Sequence, residues 1–295
     1  MDFTEQRPIG DNNDNWYQCS ISGDKMIICT PNTGKVYYYD GSSWAETQPD
    51  GNNTRDWRSC SISGDKMIAA FYTSGKLFYY NGSSWSEQQP AGATTAYWRG
   101  CSISGDKMLA VITSGRAYLY DGTSWAETRP AGDANKDWQC CSISGDKMIA
   151  GVDTGRLYSH DGTSWSEQQP AGDTNKAWTS CSISGDKMLA AVAGGRLYYY
   201  NGSSWSEQQP AGDANKAWKS CSISGDKMLA VVDAGRMYYY DGSSWSEQQP
   251  AGDANKAWYC CSISGEKLMA GVYAGRIYLG EEAIAANTTN FFMLF

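Results

Sequence analysis

Four loops carry the side chains best placed to do chemistry. The first is Asp133-Ala134-Asn135-Lys136-Asp137-Trp138, and close copies occupy 173–178, 213–218 and 253–258. The candidate ligand set is Asp133, Asn135, Lys136 and Trp138, then Asp173, Asn175, Lys176 and Trp178, then Asp213, Asn215, Lys216 and Trp218, and Asp253, Asn255, Lys256 and Trp258. A flat indole covers the C–H face of a sugar, while carboxylate, amide and ammonium groups bind its hydroxyls. Weak copies of one such site gain affinity by engaging a surface together. The competing reading makes each Trp a packing plug between repeats.

Other chemistries find less support. Arg or Lys recurs at 35, 76, 116, 156, 196, 236 and 276, which suits a structural role better than a single catalytic centre. The unrepeated arginines Arg7, Arg55, Arg58, Arg99 and Arg129 share no surrounding motif. His160 is the one histidine and stands where other repeats place a strand residue. These features lead to the expectation of a non-catalytic chain. Asp133-x-Asn135-x-Asp137 and Asp11-x-Asn13-x-Asn15 echo calcium loops but lack the following Gly and the distant Glu, so neither a metal nor a cofactor is expected. Seven of the ten cysteines (19, 60, 101, 141, 181, 221 and 261) are one repeated position. Equivalent positions in neighbouring repeats lie too far apart for a disulfide, so buried free thiols are expected.

The chain has 295 residues and a net charge of −8. That balance, with no Lys/Arg run, argues against nucleic acid as a partner. No apolar stretch is long enough to span a membrane as a helix, and the N-terminus lacks a basic-then-apolar leader. The expected partners are glycans or a protein surface, met by a soluble monomer. The compartment stays open: reduced thiols favour the cell interior, and a lectin role favours the surface or secretion.

The positioning framework is a repeat. Trp stands at 16, 57, 98, 138, 178, 218 and 258, a period of about 40 residues, as in propellers and solenoids. Within one unit, Trp218–Ser224 alternates like a half-buried strand, Met228–Val232 is a short apolar run, Arg236–Tyr240 is rich in β-prone aromatics, and Ser244–Gln249 is a fourth strand stopped by Pro250. Asp241-Gly242 predicts a type I′ hairpin turn, with positive φ at both residues. The second Trp series (44, 85, 125, 165, 205 and 245) has six members, and Phe3-Thr4-Glu5-Gln6-Arg7-Pro8 supplies the missing fourth strand. This predicts an all-β, seven-bladed β-propeller of four-stranded antiparallel blades, closed by the N-terminal strand pairing with the last blade. The propeller is expected to span 1–280, with 281–295 a tail packed on the ring or on a partner. A site made by the repeat exists several times over, whereas a site used once lies where the repeats differ.

The segment Tyr158-Ser159-His160-Asp161-Gly162-Thr163-Ser164-Trp165 resembles the Asp-box of BNR-type repeats, whose pattern is S-x-D-x-G-x-T-W. Here Asp and Gly are adjacent, which shortens the hairpin by one residue. The family includes sialidases, photosystem II assembly propellers and bacterial surface proteins. The resemblance implies the propeller fold and a structural turn, not an activity. In aromatic content and repetition the chain is also similar to propeller lectins. The reading is therefore a multivalent, lectin-like binding protein. The alternative is a protein-interaction or structural scaffold whose patch lies around blades one and two, where the second-to-third strand turns (Cys29–Gly34 and Ala70–Gly75) are one residue longer.

Overall fold

In each repeat one alternating strand carries the phrase Ser-Ile-Ser, and its two serines determine how the blades meet. The strands are Gln18–Ser22, Trp57–Ser63, Trp98–Ser104, Trp138–Ser144, Trp178–Ser184, Lys216–Ser224 and Trp258–Ser264. A computed structural model describes residues 1–73, 75–92 and 96–282 of the protein. In it these seven strands form a closed inner circle, each beside the next, with the last beside the first. Every blade runs outward from its inner strand as an antiparallel sheet of four. The extended strand Lys187–Gly195 also pairs Gly195 with Lys216, which joins blades five and six along one edge.

Neighbouring inner strands splay apart, and serine hydroxyls bridge the gap. At each seam two hydroxyls accept backbone N–H groups of the next blade at 2.9–3.3 Å, for example Ile62 and Gly64 donating to Ser20 and Ser22. The closing seam is made the same way, with Ile21 and Gly23 donating to Ser262 and Ser264. On the same rim the Gly-Asp-Lys turns form a girdle of ion pairs. Lys25 meets Asp65, Lys66 meets Asp106, and so on to Lys267 with Asp24. The pairs are half exposed, so each contributes only about 0–1 kcal/mol.

At the other end of the inner strands, each repeat Trp stacks edge-to-face on its own blade's third strand. Trp138 and Tyr158 have centroids 5.7 Å apart, as do Trp218 and Tyr238. Trp16, Trp57, Trp138 and Trp178 donate Nε1–H to the carbonyl of Gly275, Gly34, Gly115 and Gly155 in the preceding blade, at 2.9, 3.0, 3.2 and 3.2 Å. The loops that enter each blade pair there with the turn of the blade before, as Lys136 does with Gly115. The second Trp series links the outer strands. Trp85 and Trp165 donate to Thr47 and Thr128 at 2.7 and 2.6 Å, and Trp44 donates to Gln6 of the N-terminal strand at 3.2 Å.

The N-terminal strand Asp2–Gln6 pairs antiparallel with Ile277–Glu281 and completes blade seven. In other blades a Tyr or His faces the outer Trp across this pair, as Tyr80 faces Trp85. Here Gly280 faces Phe3, and a methyl group added at Gly280 would collide with the Phe3 ring. The strand extends through Glu281, one residue past the expected boundary, and Glu282 pairs with Lys227. The tail expected to pack on the ring or a partner, with its Phe291–Phe295 cluster, otherwise lies outside the described residues.

The hairpin turns depart from expectation. Of Asp40-Gly41 only the glycine has positive φ, at 104°, so the turn is not type I′. The Asp40 carboxylate instead accepts the Ser42 amide at 2.8 Å, the Ser42 hydroxyl at 2.7 Å and the Ser43 amide at 2.9 Å. Capping of this kind, led by the Ser43 amide, holds the Asp40 carboxyl down to about 2.

All ten cysteines are free thiols. Sequence spacing does not reveal that the three outside the repeated position each meet a repeat thiol across a seam: Cys29 with Cys60, Cys140 with Cys181 and Cys260 with Cys19. Burial pushes Cys101 and Cys221 up to about 12.

Two stability tests follow from this packing. Ser102→Ala leaves the buried Ile143 N–H without its acceptor, which costs about 1–3 kcal/mol, whereas Ser104→Ala at the exposed end of the same seam costs less. Urea unfolding of the two variants should separate them. Gly280→Ala overpacks the closing strand and should cost about 1–3 kcal/mol, with loss of solubility as the blade-seven edge is exposed. A Gly280→Ala protein as stable as the parent would refute the close packing of Phe3 on Gly280.

Candidate functional site

The residue after each repeat Trp lies at the mouth of the inner circle. In blade order these are Tyr17, Arg58, Arg99, Gln139, Thr179, Lys219 and Tyr259. Together with Gln18 they line one hollow of about 70 Å³. The flanking residues hardly change: a Trp stands before the position in every unit and the Cys-Ser-Ile-Ser-Gly phrase follows two residues later. The blades are therefore nearly uniform in framework and divergent where they converge.

The side chains there are hydrogen-bonded into one cluster. Arg58 Nη1 and Arg99 Nη1 both donate to the Tyr17 phenolic oxygen, at 3.0 and 2.8 Å. Arg99 Nε donates to Gln139 Oε1 at 3.0 Å. Asp56 holds Arg58 with both carboxylate oxygens, at 2.5 and 3.0 Å. The Lys219 ammonium sits 4.0 Å from the Tyr259 ring centroid, and the Tyr17 and Tyr259 rings are 4.7 Å apart. Three cations thus face one hollow against one carboxylate, in a chain whose net charge is −8. Charges of one sign in a low-dielectric recess focus the field on an approaching counter-ion.

Burial by itself would raise the Tyr17 phenol. The positive charge of Arg99 and the hydrogen bonds from Tyr259 and Arg58 override it, and the net shift is downward. Tyr259 moves the other way, raised by burial and by its contact with Tyr17. Of the two phenols, Tyr17, beside two guanidinium groups, is therefore the easier to ionise.

The four predicted loops lie on the same end of the ring, but their parts are separated. Trp138, Trp178, Trp218 and Trp258 are each 2% exposed, closed over by the stacking and seam contacts described above. They offer no open face to a sugar, which corrects the expectation of an indole platform. Asn135, Asn175, Asn215 and Asn255 are exposed. Asp133 pairs with Arg129, and Asp173, Asp213 and Asp253 pair with Arg156, Arg196 and Arg236 at 2.5, 2.5 and 2.7 Å. Lys136, Lys176, Lys216 and Lys256 are half buried, with their backbones engaged in the seam pairing. The repeated Arg/Lys series is structural, pairing with the fourth strand as Lys35 does with Glu46 at 2.8 Å. His160 accepts the Gly162 N–H at 3.1 Å and packs on Trp165.

Arg58 and Arg99, which the sequence presents as unrelated, meet on one phenol. The signal was present in the sequence. Aligned on their Trp, the seven units differ sharply at the next residue.

No protein-family model matches the sequence, and no curated protein matches it significantly. Solved structures do resemble it. Virginiamycin B lyase from Staphylococcus aureus superposes with a TM-score of 0.73 at 10% identity, over 94% of this chain and 97% of the lyase. YCF48 from Cyanidioschyzon merolae gives 0.69 at 13% identity, over 95% and 99%. A structure of YCF48 bound to D1 peptide gives 0.68 at 13% identity, over 95% and 96%. The chain is a β-propeller. At these identities the likeness is one of fold alone. It nonetheless corrects the expectation of a non-catalytic chain, because a ring of this fold is a lyase in S. aureus.

The downward shift of Tyr17 predicts a pH effect of definite sign. A lowered acid stabilises the fold fully above its unfolded value, about 10, and that contribution is lost as pH falls through the folded value. The stability difference between the parent and Tyr17→Phe should therefore grow as pH rises toward 10. Urea midpoints for both proteins at several pH values check this, and a difference independent of pH would refute the assignment.

Proposed function

We propose that this protein binds one anionic group per ring, such as a carboxylate, phosphate or sulfate, in the axial hollow. The observation that carries the reading is the convergence of Arg58, Arg99 and Lys219, each from a position that varies between otherwise matching repeats. The guanidinium groups are held in place by Tyr17, Gln139 and Asp56 before any ligand arrives, which lowers the ordering cost of binding. The peptide bound to YCF48 supports a binding role for a ring of this fold.

The repeated-site, lectin-like reading keeps its exposed Asn and Asp groups but has no open aromatic face to support it. Assignment of the units to the BNR type rests on the Asp-capped turns, in which Asp161 accepts the amides of Thr163 and Ser164 at 2.8 and 2.9 Å.

Titration calorimetry with inorganic phosphate separates the two readings. The axial site predicts one phosphate per chain, with affinity falling as salt rises. Arg99→Ala should weaken binding by roughly tenfold to a hundredfold, the loss of a charge-assisted hydrogen bond of about 1.5–3 kcal/mol. Changing Asp213 and Asn215 to Ala should leave it unchanged. Phosphate binding indifferent to Arg99 would overturn the proposal, and several glycans bound per chain would restore the repeated loops.

A further inference from the structure

A second, larger hollow opens beside the axial one and shares three of its residues. It measures about 360 Å³ and is lined by Tyr17, Arg58 and Tyr259, with Tyr273, Pro31 and Asn32 among its other walls. Pro31 and Asn32 belong to the longer turn of blade one. The aromatic rings run in sequence from the axis outward: Tyr17 to Tyr259 at 4.7 Å, then Tyr259 to Tyr273 at 5.3 Å with a tilt of 35°. Tyr273 is 40% exposed, one of three large apolar side chains exposed to this degree among the described residues.

The two volumes differ in what they can hold. The axial hollow of about 70 Å³ admits a charged head group and little more, whereas a cavity of roughly 150 Å³ already accommodates a benzene ring. The outer hollow has room for a ring beside Tyr273, and Arg58 borders both spaces. The exposed carboxylate of Asp233 also lines it, which disfavours a second anion there and leaves the charge preference at the axis.

We infer that the ligand is an aromatic anion, its charged group in the axial hollow facing Arg58, Arg99 and Lys219 and its flat ring stacked in the outer hollow against Tyr273. This rests on the axial site proposed above and adds the chemical class of the molecule that fills it. Offset or tilted stacking on a partly exposed aromatic is favourable beyond the area it buries, so the ring strengthens binding and selects for flatness.

The test compares inorganic phosphate, phenyl phosphate and cyclohexyl phosphate by calorimetry on the full chain. Phenyl phosphate should bind at least tenfold more tightly than inorganic phosphate, and cyclohexyl phosphate should gain less. Tyr273→Ala should remove the phenyl gain while leaving inorganic phosphate unchanged, and Tyr273→Phe should keep it. Equal affinity for phosphate and phenyl phosphate overturns this inference and leaves the axial anion site standing. A phenyl gain that survives Tyr273→Ala, or that cyclohexyl phosphate matches, also overturns it. No binding of any of the three removes both readings together.

Discussion

The ring depends on one interaction, a serine hydroxyl accepting a backbone N–H from the next blade. Inner strands arranged around an axis diverge and cannot pair main chain to main chain along their length. A buried N–H without an acceptor costs about 1–3 kcal/mol, so each seam needs a side chain of the right reach. Serine supplies it at least twice per seam, all the way round, including the seam that joins blade seven to blade one. The Cys-Ser-Ile-Ser phrase becomes intelligible in these terms: Ile faces the core, Ser faces the neighbour, and Cys fills the narrow space between sheets as a small apolar group.

With the seams satisfied by repeated residues, the position after each Trp carries no seam bond that all seven blades share. It lies at the mouth of the circle, and there the sequence departs from its own pattern. The result is a concentration of cations in an acidic chain. Arg58 and Arg99 are oriented by a phenol, an amide and a carboxylate, and Lys219 by an aromatic face. The longer turn of blade one brings Pro31 and Asn32 to the flank of the same region.

Much of the fold was legible because its determinants are periodic. Alternation marked the inner strands, and the six-against-seven count of strands foretold the role of Phe3. The turn geometry was not, because the Asp-Gly pair alone cannot show that the carboxylate caps the amides that follow. The indole platform expected of the loops is closed in the structure. A Trp at a strand entry looks the same in sequence whether its face is open or closed, and only packing on Tyr158 or Tyr238 decides. The axial cluster was legible only as variation at the residue after each Trp. Arg58 and Arg99 lie 41 residues apart, and nothing local ties them to one phenol until the ring closes.

The pairing of Phe3 with Gly280 bears on how the chain finds its shape. Its outer strands are near-copies, so an unpaired N-terminal segment meets several similar edges as the polypeptide emerges. The other blades set a Tyr or His opposite the outer Trp, whereas the last blade presents a bare glycine to Phe3. The strand Asp2–Gln6 thus finds its partner only once Ile277–Glu281 is in place, and the missing side chain at Gly280 makes room for its Phe3.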